Sequence, residues 1–521
     1  MRITRNRTLL LLVYAILSVL ALSLIQLNSV YAQSEAVPSE IGTLRKFNVL
    51  FIAVDDLRPE LACYGVSFMQ TPNLDRLASH GMLFERAYCQ VSVCNPSRAS
   101  LLSGARPETT RVWDNQHFLR QFLPDVLTLP QYFKNHGWQT ISLGKIFHNS
   151  DREPGQDPIS WSELAWFKGK TGREWFSKET NDELNRLRNL PEKDRPALIR
   201  GPPFESANEP DDAYPDGQTA LKAIETLQRL KKSESRFFLA VGFVKPHLTF
   251  SCPQKYWDLY PANSIRLPSN DSPPKDAPRP ATLDPYELRS YGGVPAGNVS
   301  NALAMDLIRG YRSCVSFVDA QIGRVIDELD RLGLRDDTIV IVWGDHGYHI
   351  GENGVFTKMT NFERGTRVPL ILSVPKQKSA GQKTRALVEL VDVYPTLVEL
   401  AGLPLPSHLE GASLVPLLED PARSWKTAAF SEYARRGSAT AMGRGPDTFM
   451  GHSIRTDRWR YTEWLDPKKE EAGRELYDHE NDPAESVNLA VDPAYNSVVS
   501  DLAGQLRAGW KAAKPRATES P

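Results

Sequence analysis

The sequence predicts an α/β fold built on a mainly parallel sheet, and three features predict it. Four apolar, β-rich runs stand out: Val49 to Val54, Thr140 to Leu143, Phe237 to Val244 and Thr338 to Trp343. Near-continuous apolar runs suit strands buried on both faces, as in a parallel sheet covered by helices. Helical patterns lie between them, and alternation of the two is the mark of an α/β chain. Each run is also followed closely by Asp, His or Lys.

Taken in order, the chain begins with Arg2, Arg5 and Arg7, an apolar run from Leu9 to Leu27, and Val30-Tyr31-Ala32. A positive start, an apolar stretch and a small residue at a cleavage point describe an export signal over 1–32, with an uncleaved anchor as the alternative. No later run is long and apolar enough to span a bilayer, so no stable membrane association is expected after cleavage. Thr71-Pro72 opens a helix through Leu74, Leu77 and Ala78 that stops at Gly81. Residues 151–216 and 255–298 are rich in Pro and charge and read as long excursions, with a short helix near Asp182 to Leu190. Ile308 to Leu332 repeats apolar residues at helical spacing and stops at Gly333. Val368 to Val374 reads as a fifth strand. The α/β pattern fades between Pro404 and Trp425. Ser453 to Trp464 then reads as a strand pair and Val498 to Trp510 as a helix. The expected organisation is a catalytic domain over 33–425 and a smaller α+β subdomain over 426–521 with a frayed tail.

The 521 residues carry a formal net charge of -1. Without a basic excess there is no electrostatic case for nucleic acid, and an anionic substrate has to be held by local charge. Five cysteines in an exported chain leave an odd one. If Cys94 is the reactive one, Cys63, Cys89, Cys252 and Cys314 allow three pairings or remain buried thiols.

The chemistry gathers at the strand ends. The four runs are followed by Asp55-Asp56, by Gly144-Lys145 and His148, by Lys245-Pro246-His247, and by Gly344-Asp345-His346. In open α/β sheets ligands bind beyond the carboxyl ends of the strands, and parallel strands bring these groups to one edge. Asp55, Asp56 and Asp345 would converge as hard oxygen ligands suited to Ca²⁺ or Mg²⁺, with His346 able to add one. Each pair taken alone is an ordinary polar turn. Between the first two runs stands Cys94-Asn95-Pro96-Ser97-Arg98, leading into Leu101-Leu102-Ser103-Gly104. Pro96 and Gly104 place Cys94 at the start of a helix, where free N–H groups favour an anion and Arg98 lies one turn away. A buried structural cysteine is the plainer reading of such a residue, and it fits less well beside this helix start and arginine.

Cys94-x-Pro-Ser-Arg98, with Asp-Asp upstream and Gly-Asp-His downstream, resembles the sulfatase signature. Leu143 to His148, Leu239 to His247 and Ser453 to Thr456 look similar to the iduronate-2-sulfatase branch of that family. The resemblance implies an alkaline-phosphatase-like α/β fold with a large central sheet. It also implies oxidation of Cys94 to formylglycine by a maturating enzyme. Asp55, Asp56, Asp345 and His346 would bind Ca²⁺ with the modified Cys94, and Arg98 would steady the aldehyde hydrate. Lys145 and Lys358 would hold the sulfate oxygens, His247 would act as general acid, and His148 would work at the hydrate. The substrate expected is a sulfated carbohydrate, with a 2-O-sulfated uronate foremost. Arg455, Arg458, Arg460, Arg364 and Arg367 are candidate partners for its carboxylate, against the plainer reading of surface ion pairs with Asp457 and Glu463. Phe356 departs from that branch, which has tryptophan there, and 151–216 departs too. The alternatives are a phosphate or phosphonate ester hydrolase of the same architecture, and a non-catalytic carbohydrate-binding descendant.

Overall fold

The computed structural model describes residues 47–148, 156–167, 174–196, 198–282, 286–295, 297–436 and 447–515. The expected export signal over 1–32 lies outside the described residues. The strands of the first part of the chain are β1 (Asn48–Val54), β2 (Met82–Tyr88), β3 (Gln139–Gly144), β4 (Phe204–Ala207), β5 (Phe237–Phe243), β6 (Phe250–Pro253) and β7 (Thr338–Gly344). After them come β8 (Arg367–Val368), β9 (Leu370–Ser373), β10 (Gln382–Glu389), β11 (Ala429–Arg436), β12 (Thr448–Arg455), β13 (Trp459–Leu465) and β14 (Glu471–Asp478). The central sheet runs β10-β2-β9-β7-β1-β5-β3, with β8 beside β2. The neighbours β7, β1, β5 and β3 are parallel, as are β10 and β2, whereas β9 is antiparallel to both β2 and β7.

The apolar runs are strands because both of their faces are covered. Along β1, Leu50, Ile52 and Val54 enter one core while Val49, Phe51 and Ala53 enter the other. The first core is closed by α1 (Pro72–His80), by Pro215–Ser233 and by Asn301–Arg331. The second is closed by α2 (Cys94–Ser103), α3 (Leu129–Asn135) and Val393–Leu400. The later helices of these cores are α4 (Pro215–Ser233), α5 (Asn301–Arg331) and α6 (Val393–Leu400). Helix α7 (Asn496–Ala512) packs on β12 and β13, and the helix expected near Asp182 to Leu190 spans Lys178–Arg188. The Ser300 side chain accepts from Leu303 N–H at 3.3 Å and starts α5 seven residues before its apolar periodicity becomes legible at Ile308.

The expected strand over 368–374 is divided. Pro369 separates β8 from β9 because it has no N–H for a ladder, and its carbonyl instead accepts from Gly344 at 3.1 Å. A second, four-stranded antiparallel sheet runs β11-β12-β13-β14, so the expected strand pair is the middle of a larger unit. Its Tyr433, Trp464 and Tyr477 pack with Val91, Val93, Met359 and Phe362, the residues flanking Cys94 and Lys358. All five cysteines are free thiols, and only Cys63 is not fully buried.

Candidate active site

The carboxyl ends of β1, β3, β5 and β7 meet on one edge of the sheet, and the site is assembled there. Two glycines make the approach close enough. A Cβ on Gly242 would lie 2.0 Å from Lys145 O, and one on Gly144 would lie 2.0 Å from Gly242 O. With neither present, Lys145 N–H donates to Gly242 O at 2.9 Å and the two strand ends stay paired. Asp56 has φ of 60°, a left-handed conformation that costs a non-glycine residue energy. It is held from both sides, because its N–H donates to Asp345 Oδ1 at 3.1 Å and its carbonyl accepts from Tyr311 OH at 2.8 Å. The strain is local to the acid cluster and turns Asp56 into it.

Asp55, Asp56, Asp345 and His346 have no exposed surface, and Cys94 is 1% exposed. One ligand atom from each of Asp55, Cys94, Asp345 and His346 lies within 4.8 Å of the others, and the same holds for Asp55, Asp56, Cys94 and His247. His346 Nε2 lies 3.3 Å from Cys94 Sγ, 3.4 Å from Asp56 Oδ1 and 3.6 Å from Asp345 Oδ1. The other ring nitrogen of His346 is 2.9 Å from Gly347 O, a carbonyl that can only accept. Nδ1 therefore carries the proton, and Nε2 turns a lone pair on the cluster.

Cations ring the acids. Arg98 is wholly buried and donates to Asp345 Oδ2 at 2.8 Å, Asp55 Oδ1 at 3.3 Å, and the carbonyls of Lys145 at 2.6 Å and Ile146 at 2.9 Å. Trp343 lies 5.6 Å beneath its guanidinium. Lys145 Nζ donates to Asp55 Oδ2. Lys358 Nζ lies 3.1 Å from Asp56 Oδ2 and 2.8 Å from Glu287 Oε2. His247 Nε2 is 3.4 Å from Glu287 Oε1, and Nδ1 donates to Leu248 O at 2.6 Å. His148 is half-buried, and its Nδ1 has no hydrogen-bond partner among the described residues.

The electrostatics follow from burial and neighbours. Burial raises the Asp55 carboxyl, but Lys145, His247 and Arg98 outweigh it and hold the group well below the carboxylate range. Asp56 goes the other way. Burial pushes it well up, Lys358 opposes that, and Asp55, Glu287 and Asp345 push it further. Burial also raises the Cys94 thiol, with Asp55 adding to it. Burial and Lys145 hold His148 well below its usual value, and burial and Lys358 do the same to His247. Asp56 therefore resists ionisation without more positive charge beside it. Asp56 Oδ1 accepts no hydrogen bond among the described residues, and the His346 Nε2 lone pair, 3.4 Å away, meets only the weak Cys94 thiol donor. This donor set fits a divalent cation with a preference for oxygen.

The structure brings Asp55, Asp56, Cys94, Arg98, Lys145, His247, Asp345, His346 and Lys358 into one contiguous network, with His148 beside it. Glu287 was missed in the sequence because it sits in the Pro-rich 255–298 stretch, on a single turn of helix, Tyr286–Arg289. No local pattern marked it. The arginines proposed for a substrate carboxylate are engaged elsewhere. Arg455 and Arg460 share Glu363, at 3.2 and 2.6 Å, and Arg460 also pairs with Glu485 at 2.8 Å. Arg458 grips Asp478 at 2.6 Å, Arg364 lies 3.7 Å from Glu352, and Arg367 lies 3.9 Å from Glu363. These are structural ion pairs, with acids other than the Asp457 and Glu463 expected. Phe356 is buried, and its carbonyl accepts from Tyr348 OH at 3.3 Å.

Residues 47–403 match the family model described as Sulfatase, and residues 351–511 match the one described as N-sulphoglucosamine sulphohydrolase, C-terminal. The chain is 34% identical over 522 residues to iduronate 2-sulfatase of Mus musculus, covering 87% of this chain and 93% of that protein. A solved structure described as a complex with its substrate D-glucosamine-2-N,6-O-disulfate superposes with a TM-score of 0.70 at 22% identity. That match covers 89% of this chain and 98% of the other. The phosphonate monoester hydrolase of Agrobacterium radiobacter superposes with a TM-score of 0.68 at 25% identity, over 89% of this chain and 95% of that one.

Proposed function

The chain belongs to the sulfatase family and is a sulfuric ester hydrolase, and on that premise we propose that it releases sulfate from a sulfated carbohydrate at the Cys94 centre. The observation that carries this reading is the meeting of Cys94 with three aspartates and His346 inside a ring of Arg98, Lys145 and Lys358. Asp55, Asp56, Asp345 and His346 would hold Ca²⁺ beside residue 94. When bound, the ion supplies positive charge to a sulfate oxygen and lowers the pKa of a hydroxyl next to it. Cys94 is read as the site of oxidation to formylglycine by a maturating enzyme, which would give position 94 a hydrated aldehyde.

The chain's own groups have distinct tasks in this reading. Arg98 is fixed by four acceptors, so it can orient residue 94 without moving. Lys145 and Lys358 now neutralise Asp55 and Asp56, and a cation held by those acids would free both ammonium groups for sulfate oxygens. Such fixed charge is what attack on an anionic ester needs. His148 is held neutral and has an unpartnered nitrogen, so it suits a base. His247 must instead donate a proton from Nε2 to the leaving alcohol. Burial and Lys358 oppose that protonation, while a sulfate anion and Glu287 favour it. Overall, water adds across the S–O ester bond: the alcohol keeps its oxygen and gains a proton, and sulfate carries the oxygen from water.

The likeness to iduronate 2-sulfatase supports a 2-O-sulfated uronate as the group cleaved, with the carboxylate bound by residues other than Arg455. The likeness to a phosphonate monoester hydrolase keeps phosphonate esters as the second reading. The test uses protein whose residue 94 has been verified as formylglycine by mass. Ester hydrolysis is compared among a 2-O-sulfated uronate, its neutral-sugar counterpart and a phosphonate monoester, as sulfate released from the first two and phosphonate released from the third. Preference for the uronate is expected. Preference for the neutral sugar removes the uronate, and faster phosphonate cleavage removes the sulfated carbohydrate. Cys94→Ser is expected to fold and give no turnover.

A further inference from the structure

The Glu287 carboxylate spans two groups with different tasks. Oε2 is 2.8 Å from Lys358 Nζ, the group assigned to the sulfate oxygens. Oε1 is 3.4 Å from His247 Nε2, the group assigned to the leaving alcohol. An ester placed between those two groups runs alongside Glu287, with its sulfate end beside one carboxylate oxygen and its alcohol end beside the other.

The fold fixes this side chain in place. Glu287 sits on the turn Tyr286–Arg289, and the next residue, Leu288, is buried in the first core. Ser290 Oγ donates to Glu287 O at 2.6 Å. Arg200 donates to that same hydroxyl and lies 5.0 Å over the Tyr291 ring, and Gly292 N–H donates to Gly201 O at 2.9 Å. The turn is therefore tied to the chain around residue 200. The Glu287 side chain is 11% exposed, so it is enclosed without being sealed from the site.

Two plain roles suit a carboxylate here. It answers the charge of Lys358, and it favours the protonated form of His247. Both act on every alkyl sulfate alike. Its position adds a third role that does not. To protonate the leaving oxygen, His247 Nε2 has to come within about 2.6–3.2 Å of it. Glu287 Oε1 lies a comparable step away on the other side of that nitrogen's reach. A hydroxyl on the next carbon, gauche to the leaving oxygen, is about a hydrogen-bond length from it and can close the figure by donating to Glu287. A carboxylate has lone pairs to accept such a donor besides those facing Lys358 and His247. A sulfate in place of that hydroxyl would be repelled.

We propose that Glu287 determines specificity by accepting a hydrogen bond from a free hydroxyl on the carbon adjacent to the sulfated one. It selects monosulfated vicinal diols, as sugars supply them, over isolated or vicinally disulfated alcohols. The inference rests on the sulfatase reading above, with His247 as general acid.

The test uses the full chain with formylglycine verified at position 94. Two substrate pairs are compared: the methyl glycoside of a 2-O-sulfated uronate with its 3-deoxy counterpart, and the monosulfate of trans-1,2-cyclohexanediol with cyclohexyl sulfate. Wild type is expected to favour the hydroxyl-bearing member of each pair by about 10–100-fold in kcat/KM, the worth of one hydrogen bond to a charged group. In Glu287→Ala that ratio should fall to about one. In Glu287→Gln it should fall part of the way, because the amide oxygen still accepts. Any loss at Lys358 or His247 lowers both members of a pair and cancels in the ratio. The 2,3-di-O-sulfated glycoside should be a poor substrate for wild type and gain about tenfold relative to the monosulfate in Glu287→Gln, where like-charge repulsion is removed. Thermal melts check folding, and Glu287→Gln, which keeps the side chain's shape, serves if Glu287→Ala does not fold. A wild-type ratio near one, or a ratio kept in full in either folded variant, overturns the proposal. Failure of the sulfatase reading looks different, because wild type would then cleave none of these sulfate esters.

Discussion

At the scale of single residues, Arg98 carries the most. Its removal leaves Asp55 Oδ1, Asp345 Oδ2 and two carbonyls inside the protein without the guanidinium that bonds them. Breaking a buried pair by deleting one partner costs about 3–5 kcal/mol. Arg98→Ala should lose stability of that order in denaturant unfolding of metal-free protein, and Arg98→Lys should recover only part of it because one ammonium cannot reach four acceptors. His247→Ala is expected to slow alkyl sulfates by about 10²–10⁴-fold, the usual range for losing a general acid, and aryl sulfates far less. Equal losses on both substrates would remove His247 from that role. The residues legible from the sequence pattern were those close after a strand end or within the Cys94 motif, whereas Lys358 came from the family resemblance alone. Glu287 touches both Lys358 and His247, yet nothing around it in the chain signals a site. Arg455 misled in the opposite sense: its charge was visible and its partner Glu363, 92 positions away, was not.

At the scale of elements, the strands buried on both faces were plain from their runs of apolar residues. The missed ones have physical reasons. Strand β2 carries Glu85 and Arg86 in its middle, and β10 begins with Gln382 and Lys383 at the sheet edge, so neither has a continuous apolar run. Order across the sheet, including the antiparallel β9, depends on partners far away in sequence. The β3–β5 contact gives a prediction of its own. In Gly242→Ala the new methyl would meet the Lys145 backbone, which cannot swing aside as a flexible side chain can. A shift of the two strands should cost about 1–3 kcal/mol and move Lys145 off Asp55. The melting temperature should fall and KM for a sulfate ester should rise. An unchanged KM would show that the strand ends do not position Lys145.

At the scale of the whole molecule, the second sheet adds a pH dependence separate from the active site. Glu475 is buried between Trp464 Nε1 and Tyr477 OH, both at 2.7 Å, and burial raises its pKa to about 7. The folded state therefore holds this proton more tightly than the unfolded chain. Stability is largest below the unfolded value of 4.5 and falls as pH rises toward about 7. Glu475→Gln should stabilise the protein at pH 8, by at most about 3 kcal/mol, and matter little at pH 4, as read by melting temperature. No gain at pH 8 would mean that Glu475 ionises there without cost.

The burial of Cys94 also orders events in time. Helix α2 is covered along its whole length, and its Ser97 and Arg98 are bonded to Asp345, which lies 247 positions beyond Arg98. At roughly 5–20 residues per second of synthesis, the strand that seals the thiol follows it by about 12–50 s. If Cys94 is oxidised as proposed, the enzyme that does so would have to reach it before the chain closes over the thiol, for which this interval is the natural window. A late or slow modifying enzyme would leave folded protein that is correct in every contact and permanently inert.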